Sequence, residues 1–331
     1  MTLPTGAAST PAARISRAQA LGLLALGNTL WAGTYVAGKV ALGDLSWIQL
    51  NALRFTLATL LLAPVLWRGR RLIAGELRDL RSIWGLARLV LLGFVLNKAF
   101  EYAGLSLSTA SDIALLIATE SLFTALLSWT ILRERVSRLG VGALLVGLAG
   151  VYLVVERGIV PNLGGPGGAG RVVGDLLIVL ALLFEAGYTI SGKSSLDRLP
   201  PLLLTACSIA GSLIIWLPAG AVSVALGGWP RLTWLTALAI GYMAVFATVV
   251  GYSIWFRALS VVDASLAAPT LFIQPLLGAA LAVLLLHDTL TPATITGAIL
   301  IAASLLLVVV VIRRQRPTPD GPAPPVIEAI P

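Results

Sequence analysis

Ten stretches of this chain are each about 20 mostly apolar residues long, and they limit its fold more than any other feature. They are Ala18–Leu42, Leu45–Trp67, Ile83–Leu105, Ala110–Leu132, Leu139–Val155, Val172–Gly192, Pro201–Ala225, Leu232–Phe256, Ala264–Leu286 and Ala293–Ile312. Hydrocarbon offers the backbone no hydrogen-bond partner, so a segment at that depth must be a helix or part of a closed barrel. Runs this long are helical. Only 11% of the residues are charged, against about 25% in a soluble domain, which is too few to coat a globule. The expected fold is an all-α integral membrane protein with ten transmembrane helices.

Arg14 and Arg17 precede the first apolar stretch and could suggest a secretory signal. That stretch far exceeds an apolar signal core of about 7–15 residues, so it reads as a retained first span. Residues 1–17 and 313–331 read as disordered tails. The net charge of +8 does not point to nucleic acid, because the basic residues form short clusters between apolar runs. With ten spans, sixteen Lys and Arg fall on the side of the termini and four (Lys39, Arg157, Arg171 and Arg231) on the other. That bias places both termini in the cytoplasm of a bacterial inner membrane. The single cysteine, Cys207, excludes an intrachain disulfide and a Cys-based metal site, and the single histidine is His287. No cofactor or metal is expected.

The chain also repeats itself. Ala32-Gly33-Thr34-Tyr35-Val36-Ala37-Gly38-Lys39 reads against Ala186-Gly187-Tyr188-Thr189-Ile190-Ser191-Gly192-Lys193, 154 residues on. At the same offset Leu105–Ser111 reads against Leu259–Ser265, Glu120 against Gln274, and Glu134 against Asp288. The expected division is a repeat over 18–155, a Gly/Pro-rich external loop over 156–171 and a second repeat over 172–312. Five spans per repeat is an odd number, so the second copy would cross the membrane the opposite way. Inverted repeats recur in secondary transporters, with the substrate near mid-membrane between them.

The motifs now acquire a family resemblance. Leu30-Trp31-Ala32-Gly33 with Lys39, Arg54 in the second span, the paired Leu-Ser and Ala-Ser segments, Gln274-Pro275-Leu276, and the acids Glu134 and Asp288 closing spans four and nine resemble the EamA family of the drug/metabolite transporter superfamily. The resemblance covers about residues 18–312. It implies ten helices in two EamA repeats, peripheral fifth and tenth helices, and export, with YddG-type amino-acid exporters as the suspected subgroup. Such proteins often have proline where this chain has Ser121.

A charged side chain at mid-bilayer costs about 2.5–3.5 kcal/mol on insertion scales, so it faces a cavity or a partner. Lys98 and Glu101 share one face of span three, with Asn97 beside them. They read either as a packing ion pair or as a site for a zwitterion. Glu120 lies in mid-span four, and Thr124 and Ser128 continue its face; Glu185 lies in mid-span six with Tyr188 and Thr189. Asn28, Trp31 and Tyr35 form a stripe in span one, and Tyr252 and Trp255 sit in span eight. With Gln274, these make the expected substrate-binding set. Arg54 is expected to pair with an acid, Arg88 to reach for the interface, and His287-Asp288 to cap a helix. Small residues at Ala143/Gly147 and Ala298/Ala302 suit close helix packing or a homodimer. The expected partners are a small-molecule substrate and the lipid bilayer, with no nucleic acid. The sequence lacks Gly-x-Ser-x-Gly and His-Glu-x-x-His, so an intramembrane enzyme is the remote alternative to an exporter of amino acids, drugs or other metabolites.

Overall fold

The structure, a computed structural model, describes residues 16–120, 123, 138–156, 168–196, 198–259, 270 and 273–315. These residues are helical, without strands. Helix α1 spans Arg17–Ala41 and α2 spans Trp47–Glu76. Helix α3 spans Leu80–Leu107 and contains a π-helical stretch, Val90–Leu96. Helix α4, Ala110–Leu116, continues into a 3₁₀ turn, Ile117–Thr119. Then come α5 (Arg138–Glu156), α6 (Gly168–Leu196) and α7 (Pro201–Gly227). Helix α8 covers 234–259 around a second π-helical stretch, Met243–Val250. Helices α9 (Ile273–Leu286) and α10 (Pro292–Gln315) follow. Glu134, Ser121, Thr124 and Ser128 lie outside the described residues, as does most of the Gly-rich segment before Gly168.

Local sequence explains the helix starts. Ser16 and Ser46 each close a capping box with a glutamine three residues on, Gln19 and Gln49. Asp79, Thr109 and Thr233 cap α3, α4 and α8 through their side chains. Pro201 opens α7, where a missing N–H costs nothing. Several helices outrun their expected spans: α2 reaches Glu76, α6 begins at Gly168 and α10 reaches Gln315. Arg171, counted above as a loop cation, is therefore helical and buried.

The repeat is built into the backbone. Helix starts at Trp47 and Pro201, Leu80 and Trp234, and Arg138 and Pro292 are each 154 residues apart. So are the prolines inside α2 and α7, Pro64 and Pro218. The two π-helical stretches also coincide at this offset, to within a residue. Packing follows the same exchange. Helices α2 with α7, α4 with α9 and α5 with α10 pair across the repeats, while α1 lies on α8 as α6 lies on α3.

Among the described residues, five helical segments are long and apolar enough to cross a membrane: Ala18–Ala41, Trp47–Glu76, Leu80–Leu107, Pro201–Gly227 and Trp234–Trp255. Large apolar side chains such as Leu60, Ile214 and Leu284 are mostly exposed on the outer face. This is the inside-out polarity of a bundle solvated by lipid. Polar groups are instead buried between the helices, among them Asn28, Arg54, Lys98 and Glu101.

Helices α5 and α10 cross at Gly150 and Gly297. A Cβ on either residue would stand 2.6–2.7 Å from the other's carbonyl oxygen, so only glycine permits this approach. The small-residue seam is thus used within the chain, at these glycines.

Candidate functional site

Two hydrophobic clusters meet in the middle of the bundle. One contains Tyr35, Tyr102 and Met243, and the other Phe94, Tyr188, Trp216 and Tyr252. The polar residues gather at this junction. Lys98 Nζ lies 2.5 Å from Glu101 Oε2, one turn on along α3, and both are buried. Glu120 follows the 3₁₀ turn after α4, and Glu185 lies midway along α6. These carboxylates are near enough to Lys98 and to one another to interact electrostatically. The group thus holds three carboxylates and one ammonium. Glu185 Oε2 is buried and accepts no hydrogen bond from the described residues. An unbonded buried carboxylate oxygen is costly, which suits a site that awaits a donor.

A second set of polar contacts bridges the repeats beside it. Tyr35 Oη donates to Gln274 Oε1 at 2.8 Å, and Gln274 Nε2 donates to Asn28 Oδ1 at 2.6 Å. Asn28 Nδ2 in turn donates to Leu24 O at 2.9 Å and Thr270 Oγ1 at 3.0 Å. Gln274 is followed by Pro275, which is buried in the first turn of α9.

Aromatic rings line a third side. Trp31 packs at 5.3 Å from Tyr252 and 5.2 Å from Trp255. Phe94 connects Tyr252, at 5.2 Å, to Tyr188, at 5.7 Å. All eleven residues expected from the sequence are thereby drawn into one contiguous region, contributed by α1, α3, α4, α6, α8 and α9.

The π-helical stretches explain how the rings are fixed. A π turn widens the helix and leaves carbonyls poorly matched to their own N–H groups. The indole of Trp31 donates to Ala247 O in the second stretch at 2.8 Å, and that of Trp216 donates to Phe94 O in the first at 2.8 Å. Gly93 gives Tyr188 room, because a Cβ there would come within 2.7 Å of the ring's Cγ.

Several participants are not evident in the sequence. Arg54 lacks the expected acid partner among the described residues. Its Nη1 donates to Tyr102 Oη at 2.6 Å and its Nε to Thr248 Oγ1 at 2.8 Å, with the guanidinium against the rings of Phe55 and Tyr102. A guanidinium stacked on rings and bonded to hydroxyls needs no carboxylate nearby. Nothing in the sequence singled out Phe94, Tyr102 or Thr248.

A buried ionic cluster covers one end of the region. Arg171 Nη1 lies 2.7 Å from Asp175 Oδ2 and 3.7 Å from Asp112 Oδ2. Ser108 donates to Asp175, and Lys39 donates to Leu105 O and Ser108 O. Asp288 accepts from the backbone N–H of Ser111 at 3.0 Å, capping α4 rather than its own helix. Ser108 is ten residues beyond Lys98, roughly 15 Å along α3.

At the other end of α3 and α6 the joint is polar and exposed. Arg198 donates to Asp79 at 3.1 Å and to the hydroxyl of Ser82. The Ser82 hydroxyl and the backbone N–H of Arg81 hold the Asp79 carboxyl below its usual range.

The chain matches the EamA-like transporter family twice, over residues 19–156 and 172–310. It is 29% identical over 285 residues to an uncharacterized transporter of Archaeoglobus fulgidus, covering 85% of this chain and 94% of that one. It is 25% identical over 283 residues to a probable amino-acid metabolite efflux pump of Salmonella typhimurium, covering 83% and 89%. Its fold is similar to that of a crystallised protein at a TM-score of 0.59 and 20% identity, covering 90% of this chain and 99% of the other. The doubled family match falls on the two halves that the 154-residue offset and the helix pairing already define. This multi-pass membrane protein belongs to the EamA-like transporter family.

Proposed function

We propose that the chain is a secondary transporter that exports small polar metabolites, most of all amino acids, by alternating access. In this reading ten spans form two inverted five-helix repeats in a bacterial inner membrane, with both termini cytoplasmic. The cargo sits between α1, α3, α4, α6, α8 and α9. Glu120 and Glu185 receive the amino group, Asn28, Tyr35 and Gln274 bind polar atoms, and Trp31, Tyr188, Tyr252 and Trp255 hold the side chain. Lys98, held by Glu101, turns to the cargo carboxylate.

The observation that carries this reading is the mid-bundle gathering of Lys98, Glu101, Glu120 and Glu185 with an open-handed Glu185 oxygen. Burying so many ionisable groups among lipid-facing helices is hard to justify by packing alone. The efflux-pump name of the Salmonella relative supports the direction and the cargo class. Liposomes carrying the purified protein should release loaded amino acids faster than empty controls. Release no faster than the controls for all twenty would sink the amino-acid version. Repeating the measurement with and without an imposed pH gradient separates proton exchange from facilitated diffusion.

One observation favours a second cargo, an aromatic or apolar amine. The single ammonium is already held by Glu101, and the remaining carboxylates lie near tyrosines, Glu185 near Tyr188 and Tyr252 and Glu120 near Tyr35. Carboxylates with aromatic faces suit an organic cation that has no carboxylate of its own. Competition between amino acids and such cations ranks the two.

A further inference from the structure

A groove of about 650 Å³ opens at the start of α3, against the junction of α6 and α7, and is separate from the mid-bundle site. It is lined by Arg81, Trp84, Arg88, Leu91, Arg198 and Leu204. Arg81, Trp84, Arg88 and Leu91 recur at helical spacing, so they form one stripe on α3. Arg81 and Arg88 are two turns apart, roughly 10 Å along the axis. Both are exposed, and neither side chain makes a hydrogen bond or ion pair with any described residue. Arg198 closes the other wall and is held by Asp79 and Ser82. Glu76 also lines the groove, and with Asp79 pairing Arg198 the local excess is one positive charge.

The groove changes character with depth. Arg81, Trp84 and Arg88 are exposed, whereas Leu199 and Leu204 in the facing wall are buried. Tryptophan rings prefer the level between headgroups and acyl chains, and Trp84 lies exposed near the start of a candidate span. The second repeat lacks this pattern: Leu235, Leu238 and Tyr242 stand 154 residues after Arg81, Trp84 and Arg88, and Asp44 stands 154 before Arg198. The cationic groove is therefore an individual feature of one end of the molecule, not a by-product of the repeat.

We propose that this groove binds an anionic phospholipid, its phosphate between Arg81 and Arg88 and one acyl chain along Leu91 and Leu204. Two exposed guanidiniums outside any ion pair among the described residues suit a phosphodiester, and the apolar floor suits the chain attached to it. A free phosphate would satisfy the arginines and leave the floor unused.

The test uses the full chain in detergent, titrated with dioleoyl phosphatidylglycerol or dioleoyl phosphatidylcholine, with bound lipid counted by native mass spectrometry. Phosphatidylglycerol should be retained preferentially. Arg81→Gln and Arg88→Gln should each weaken it roughly fivefold, and the double variant about 25-fold. The double variant Arg71→Gln/Arg78→Gln removes the same charge outside the groove and should change retention less than twofold, within roughly the spread of exposed charge effects. Equal retention of the two lipids by the unaltered protein overturns the proposal and needs no variant. So does an equal loss in the Arg71/Arg78 control. Displacement of phosphatidylglycerol by millimolar inorganic phosphate also overturns it, since the site would then take the free anion.

Discussion

Asp44 and Arg198 stand 154 residues apart, at equivalent points of the two repeats, and make the same joint with opposite charge. Each follows the first helix of its repeat and grips the N-terminal cap of the other repeat's third helix. Asp44 accepts from the N–H and hydroxyl of Thr233 and from the hydroxyl of Thr236. Arg198 donates to Asp79 and Ser82, the residues 154 before that pair. One duplicated contact has thus become a lone carboxylate among hydroxyls at one joint and an Arg–Asp ion pair at the other.

Both joints should loosen in acid. The hydroxyls of Thr236 and Thr233 hold the Asp44 carboxyl below its ordinary value of 3.8, and the Ser82 hydroxyl does the same for Asp79. A depressed folded value stabilises above the unfolded value and is lost as pH falls through the folded one. Melting temperature in detergent should hold from neutral pH to about 4 and then drop. The double variant Asp44→Asn/Asp79→Asn should show a shallower drop than the unaltered protein.

The ionic cluster at the far end should behave as a unit. Arg171→Leu removes the guanidinium paired with the buried Asp112 and Asp175 carboxylates and should cost about 3–5 kcal/mol in a denaturation series. Arg171→Leu/Asp112→Leu/Asp175→Leu should recover most of that loss. At the 154-residue offset the opposite repeat carries leucine in each case, Leu21 for Asp175 and Leu266 for Asp112. A triple variant less stable than the single one would contradict this account.

The indole plugs predict a matched pair of defects. Trp31→Phe and Trp216→Phe keep a ring but remove the donor to Ala247 O and Phe94 O. Each should cost about 1–3 kcal/mol of stability. Flux should fall further in Trp31→Phe, because Trp31 also touches Tyr252 and Trp255. Equal flux losses at equal stability would assign Trp31 a purely structural role.

At the α5–α10 crossing, Gly150→Leu or Gly297→Leu should force the helices apart, since a single Cβ already meets the opposite backbone. Overpacking of this kind costs about 1–3 kcal/mol or more, read as a lowered melting temperature. If the variants melt like the unaltered protein, the crossing does not hold the pair together.

The sequence was most readable where chemistry is local. The paired motifs around Gly38 and Gly192 and the ionisable residues inside apolar runs carry their meaning in a few residues. That is why the expected site residues gather in one region. The π-helical stretches were not readable, because Val90–Leu96 and Met243–Val250 look like any apolar helix and their geometry is coupled to indoles 122 and 216 residues away, respectively. Arg54 misled for a related reason: its partners are hydroxyls and rings, which no charge pattern marks. Arg171 was hidden by the glycine-rich segment before it, which reads as loop up to the point where α6 begins.

The account rests most heavily on the mid-bundle acids as the place where cargo binds. Counterflow of a labelled amino acid into proteoliposomes, measured for the unaltered protein, Glu120→Gln and Glu185→Gln, tests it most directly. Removing a charge-assisted contact to an ammonium should raise the half-saturating concentration by about tenfold or more in each variant, with folding unchanged by melting temperature. Variants that saturate at the same concentration as the unaltered protein would contradict it.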